Sequence, residues 1–122
     1  MKLTIKTHFD AAHYLLNYNG PCANLHGHRW EVRITVEGKV DYGTGMVLDF
    51  KVLKAAINNT LPDHKCLNDL YTFNPTAENL VEYLFNTLDT YCAMYMPGIT
   101  LKEVELWETP ECSVIYGGVL NC

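Results

Sequence analysis

Three imidazoles and a thiol lie close together near the start of the chain: His13, then Cys22, His26 and His28 within the run Pro21–His28. Residues of these types hold transition metals, move protons, or do both. A His-x-His pair on a strand projects both rings to one face, because strand side chains alternate with period two. His26 and His28 can therefore converge on one ion, and Gly27 between them permits close backbone approach. His13 stands at the end of an earlier alternating run, on its apolar parity, and supplies a third ring. Three histidines leave zinc a fourth position for water or substrate, which is the arrangement of catalytic zinc sites; structural sites fill all four positions, often with cysteine. Cys22 can be read two ways. As a fourth ligand it closes the site; beside a dication or a histidine a thiol ionises more readily and becomes a base or nucleophile. The spacing alone does not separate these readings.

Further residues carry possible chemistry. Asp63 and His64, in Pro-Asp-His-Lys-Cys, suit a helix end, where a turn residue and an exposed histidine are ordinary. Were that segment to fold over the Cys22 loop, His64 would act as general base towards the thiol, with Asp63 orienting its ring. Glu108 shares the parity of Val104 and Leu106. It is either a solvated strand-end residue or a buried carboxylate that grips a guanidine-like heterocyclic edge through both oxygens. Thr76 and Glu78 suit the cap and first turn of a helix, and Thr76 is also a candidate substrate contact. Cys66, Cys92, Cys112, Cys122 and His8 are assigned to packing or surface.

These residues need elements to position them. Leu3, Ile5, Phe9, Ala11 and His13 share one parity, and Trp30, Val32, Ile34 and Val36 share another, so two strands with one covered face are predicted. Asp49 caps a helix with the stripe Phe50, Leu53, Ala56, Ile57 and Leu61, ended by Pro62. Asn74 or Thr76 caps a second helix with the stripe Ala77, Leu80, Val81, Leu84 and Leu88, where Pro75 is tolerated. The runs Leu-Lys-Glu-Val-Glu-Leu-Trp-Glu and Cys-Ser-Val-Ile-Tyr-Gly-Gly give two last strands. The order β-β-α-α-β-β predicts an α+β layer: a four-stranded antiparallel sheet covered by two helices on one face. Its two open edges favour association with further copies.

At 122 residues the chain matches a single domain spanning residues 1–122, and 48% hydrophobic with 19% charged residues excludes the disordered and fibrous classes. A net charge of −5 with nine dispersed Lys and Arg offers no basic stripe, so nucleic acid is not an expected direct partner. The alternating start reads as a strand and not as a signal peptide, and no apolar run is long enough for a membrane helix. Five scattered cysteines suit a reducing compartment better than a disulfide framework. A cytoplasmic protein is expected.

Six stretches, HFDAAHYL, CANLHGH, GMVLDF, PDHKCLND, NPTAENL and ELWET, resemble in order and spacing the 6-pyruvoyltetrahydropterin synthase and bacterial 6-carboxytetrahydropterin synthase (QueD) family. The match spans nearly the whole chain. The resemblance implies the tunnelling fold (T-fold), whose subunits join sheets into an oligomeric barrel, usually a homohexamer with active sites at subunit interfaces. It implies Zn2+ on His13, His26 and His28, Cys22 as catalytic base assisted by Asp63 and His64, and Glu108 as the anchor of a pterin. The three-residue gap between Cys22 and His26 is similar to the QueD type, whereas the animal pyruvoyl enzymes have a longer one. Asp10 stands where QueD-like members more usually show Ser. The implied substrate is 7,8-dihydroneopterin triphosphate. The implied reaction is that of a carbon–carbon lyase releasing acetaldehyde, triphosphate and 6-carboxy-5,6,7,8-tetrahydropterin for the queuosine and deazapurine pathway. Rival readings are 6-pyruvoyltetrahydropterin synthesis, which stops after triphosphate elimination, an aldolase-like enzyme acting on a non-phosphorylated pterin, and a non-catalytic zinc-stabilised module.

Overall fold

The structure is a computed structural model that describes residues 1–117; Gly118 and Cys122, assigned above to the last strand and to packing or surface, lie outside the described residues. Two long strands, β1 (Lys2–His13) and β2 (His26–Glu37), pair antiparallel along their whole length, from Lys2 opposite Glu37 to His13 opposite His26. The alternation foreseen in each run is what makes this register useful, because a one-residue slip would turn every apolar side chain to the wrong face. α1 (Phe50–Thr60), β3 (Lys65–Cys66), α2 (Leu67–Leu70) and α3 (Ala77–Tyr95) follow, then β4 (Thr100–Thr109) and β5 (Cys112–Gly117). The sheet order is β3-β1-β2-β4-β5, with β3 parallel to β1 and the other pairs antiparallel. This is the tunnelling fold, an α+β layer whose sheet is open within the chain.

Two elements were absent from the sequence expectation. β3 has two residues and α2 four, too few for either period to register. They make the sheet five-stranded and add a short third helix.

The core lies between the helices and one sheet face. Trp30, Val32, Ile34 and Val36 of β2 meet Val104 and Leu106 of β4 under Leu80, Leu84 and Leu88 of α3, all buried. Each such side chain contributes about 1.5–3 kcal/mol on burial. α3 runs on to Tyr95 and adds Phe85 and Cys92 to its buried stripe. Asp49 caps α1, accepting from the Lys51 amide at 2.9 Å, and Leu53, Ala56 and Ile57 are buried as foreseen. Phe50 is not: it stays half exposed. Helical side chains lean towards the N-terminus, so a residue in the first turn points past the packed stretch. Thr76, and not Asn74, caps α3, accepting from the Asn79 amide at 3.1 Å.

The other sheet face is polar. Lys6 pairs with Glu31 at 3.1 Å, and Arg33 pairs with the buried Glu105, whose second oxygen accepts from Ser113 at 2.8 Å. No helix among the described residues is long and apolar enough to cross a membrane.

Candidate metal centre

The pairing of β1 with β2 sets His13 directly opposite His26, and His28 opposite Ala11. Since opposed residues of an antiparallel pair share a face, all three rings project to the helix-covered side. Their ligand nitrogens lie within 4.8 Å of one another. His13 is almost wholly buried.

Two of the rings are oriented from behind. The Nδ1 of His13 lies 2.8 Å from the Pro75 carbonyl oxygen, and the Nδ1 of His26 lies 2.7 Å from the Asn24 carbonyl oxygen. A carbonyl only accepts, so each Nδ1 carries the proton and each Nε2 keeps its lone pair. All three Nε2 atoms are buried without a hydrogen-bond partner. Unsatisfied buried polar atoms are rare and costly. Three converging lone pairs fit a bound cation, and an all-imidazole set suits zinc with a position left open. Burial, first of all, pushes both His13 and His28 below the ordinary imidazole range, favouring the neutral form that a metal requires. Trp30, fully buried, meets His13 and His28 edge-on with ring centroids 5.1 and 5.6 Å away and closes the floor of the site against water.

Glu108 comes to the same place. Its Oε1 lies 3.8 Å from the Nε2 of His28. The β4–β5 register shifts between Trp107 and Thr109, so Glu108 sits at an irregularity of the ladder, the kind of feature that re-aims a side chain. Its carboxylate faces a cleft of about 230 Å³, lined also by Ala77 and Glu78 at the start of α3 and by Ser113 and Val114 of β5. Thr76 precedes Ala77 but does not line this cleft, and its hydroxyl is engaged as the α3 cap.

Cys22 lies in a one-turn 3₁₀ helix, Pro21–Ala23, and is partly buried. Its carbonyl accepts from the Leu15 amide at 2.9 Å, tying the loop back to the end of β1. Asp63 and His64 gather elsewhere, around Asp10. The Asp10 amide donates to Asp63 Oδ1 at 2.9 Å, the Asp10 carbonyl accepts from the His64 amide at 2.7 Å, and Asp63 Oδ2 lies 3.5 Å from His64 Nε2. His64 adopts a left-handed backbone, φ 56°, a conformation that costs a non-glycine residue roughly 1–2 kcal/mol. Both side chains are exposed. Within one chain, then, the pair forms a cluster apart from the three histidines. Asp10 grips Arg29 through both oxygens, at 3.0 and 3.2 Å, and this bonding holds its carboxyl below the usual range.

Sequence reasoning missed the Pro75 and Asn24 carbonyls, and the roles of Asn68 and Asn74 described below. Every non-proline and proline residue carries a carbonyl, so no residue type could have signalled the first two.

Paired strands that hold three convergent imidazoles beside a carboxylate-lined cleft define a candidate metal-dependent catalytic centre. Residues 2–119 match the family model of 6-pyruvoyl tetrahydropterin synthase. The chain belongs to this family. It is 38% identical to a 6-carboxy-5,6,7,8-tetrahydropterin synthase of Synechocystis sp. over 88% of this chain and 86% of that one. It is 35% identical to a 6-pyruvoyl tetrahydrobiopterin synthase of Drosophila melanogaster over 95% of this chain and 79% of that one. The structure of Caenorhabditis elegans 6-pyruvoyl tetrahydropterin synthase superposes with a TM-score of 0.84 at 29% identity, covering 98% of this chain and 96% of that one.

Proposed function

We propose that the protein is a zinc-dependent lyase that converts 7,8-dihydroneopterin triphosphate and one water to 6-carboxy-5,6,7,8-tetrahydropterin, acetaldehyde and triphosphate. The observation that carries this reading is the convergence of three buried, unpartnered Nε2 atoms next to a carboxylate. His13, His26 and His28 would hold the zinc, which when bound supplies Lewis-acid stabilisation of negative charge developing on the substrate's side-chain oxygens.

The chain's own groups do the rest. Glu108 accepts from the 2-amino and N3 hydrogens of the pterin, two adjacent donors that match its two oxygens. That grip orients the side chain of the substrate towards the histidines, and Trp30 keeps water from beneath them. Cys22, as thiolate, abstracts protons from the side-chain carbons, and triphosphate departs as the leaving group. Addition of one water and cleavage of a carbon–carbon bond then release acetaldehyde and leave the carboxylate on the pterin. Asp63 and His64 are exposed beside the edge strand β3, so they would serve the Cys22 of an adjoining copy in a hexamer, His64 relaying the proton and Asp63 orienting its ring. This arrangement reconciles their separation from the histidines within one chain with a role in the reaction.

The relative from Synechocystis, a 6-carboxy-5,6,7,8-tetrahydropterin synthase, supports this product, as does the short gap between Cys22 and His26. A second reading, elimination of triphosphate without carbon–carbon cleavage, is favoured by the relative from Drosophila and the structure from Caenorhabditis elegans. Incubation of the zinc-loaded protein with 7,8-dihydroneopterin triphosphate decides between them. Acetaldehyde in step with triphosphate supports the lyase; triphosphate with 6-pyruvoyltetrahydropterin supports the second reading; neither product refutes both.

A further inference from the structure

Beyond His13 the chain leaves the sheet, yet its backbone continues to be paired as though a strand lay beside it. The partners are two side-chain amides. Asn68 accepts from the Tyr14 amide through Oδ1 at 2.9 Å and donates to the Tyr14 carbonyl through Nδ2 at 2.9 Å. Asn74 does the same for Leu16, at 2.9 and 3.2 Å. A primary amide carries a donor and an acceptor side by side, as a peptide does, and can replace a neighbouring strand residue by residue. Tyr14 and Leu16 are two apart and so present their backbone groups to the same side. Leu15, between them, uses its amide to hold the Cys22 carbonyl at 2.9 Å.

The two amides are themselves anchored. Asn68 belongs to α2, directly after β3, which is paired with β1. Asn74 precedes Pro75, whose carbonyl meets the Nδ1 of His13, and its own carbonyl accepts from the Thr76 amide and the Asn79 side chain. Tyr71 and Phe73 stack at 4.8 Å and Tyr71 meets Tyr83 of α3 at 4.6 Å, fastening the 71–76 segment to the long helix. One short segment thus orients a histidine of the metal site and, through Leu16, the loop that carries the thiol.

We propose that Asn68 and Asn74 are positioning residues for Cys22: paired amide clamps on Tyr14 and Leu16 that set Leu15, and through it the Cys22 turn, relative to the three histidines. This deepens the functional reading above and rests on it for the role of Cys22. Asparagine is required because each site needs both a donor and an acceptor. Aspartate has the same shape but sets a carboxylate oxygen against the Tyr14 or Leu16 carbonyl, turning one of the two bonds into a repulsion. Neither amide reaches the metal site, so the metal and the pterin should bind as before.

The test uses the zinc-loaded proteins Asn68→Asp, Asn74→Asp and the double variant, with Asn68→Ala and Asn74→Ala as versions that lose the bonds without gaining repulsion. Zinc content, kcat and KM with 7,8-dihydroneopterin triphosphate, and hydrogen exchange at the Leu15 amide are measured. The expected result is unchanged zinc and KM, faster Leu15 exchange, and a fall in kcat on the order of 10²-fold for the Asp variants, the size typical of a displacement of about 1 Å. The Ala variants should fall between these and wild type. Unchanged Leu15 exchange and kcat in both Asp variants, or loss of zinc and KM in parallel with kcat, would overturn the proposal. If wild type itself shows no turnover, the functional reading fails; the Leu15 exchange rates still decide whether the clamps hold the loop.

Discussion

Zinc should raise the unfolding temperature of this protein, and His26→Ala should abolish that rise while leaving the metal-free fold nearly intact. His26 is the ligand to choose because its removal disturbs least. Its Nδ1 contact to the Asn24 carbonyl is exposed, so losing it costs about 0.5–1.5 kcal/mol. His13, by contrast, is buried and holds Pro75, so its loss mixes metal binding with packing. A ligand that binds only the folded state at a hundred times its dissociation constant stabilises by about 2.7 kcal/mol. For 122 residues the unfolding entropy, at about 2.1 cal/mol/K per residue, is roughly 0.26 kcal/mol/K. The expected rise is therefore about 10 °C for wild type, and close to zero for His26→Ala. Differential scanning calorimetry with and without a chelator measures both. An equal zinc-dependent rise in the two proteins would refute the three-histidine site. A variant that starts far below metal-free wild type would show that His26 is a structural residue and not a ligand.

Three further outcomes follow from the site. Cys22→Ala should abolish turnover while zinc content stays at the wild-type level; loss of zinc on this change would make Cys22 a fourth ligand. Glu108→Gln puts a donor against a donor of the pterin edge, so isothermal titration should show pterin binding weakened on the order of a few kcal/mol with zinc retained; equal binding would reduce Glu108 to a solvated strand end. In the metal-free protein, burial lowers the titration of His13 and His28 from an ordinary 6.5. The unfolded chain then binds more protons than the folded one as the pH drops. Their contribution is present above pH 6.5 and is lost as the pH falls through that value towards the depressed folded ones. Urea midpoints that stay flat from about pH 7.5 to pH 5 would contradict it.

The parts of this molecule that were legible in the sequence are those that repeat. β1 and β2 advertise themselves through alternation, and because parity decides the face, His13, His26 and His28 could be assigned to one side before any contact was known. Parity in β4 made Glu108 a candidate for the same side but left a solvated strand end equally open, and the ladder irregularity beside it was not foreseeable. What was illegible is carried by single contacts between distant residues. β3 is two residues long and is recognisable only by its pairing with Ala11 and Ala12. Asp63 and His64 follow one another in sequence, which says nothing of the face they reach, and they gather on Asp10, 53 residues away in the case of the Asp63 bond. Asn74 looked like a helix cap because Asn before Pro and a helical stripe ordinarily is one; Thr76 takes that role, which leaves the Asn74 side chain free to face Leu16. The division has a physical origin. A metal ligand must be rigid and benefits from a strand, whose periodicity exposes it to inspection. Among the described residues the Cys22 loop has no strand beside it, and its backbone groups have to be satisfied one at a time. The side chains that do so are drawn from wherever the fold brings an amide within reach.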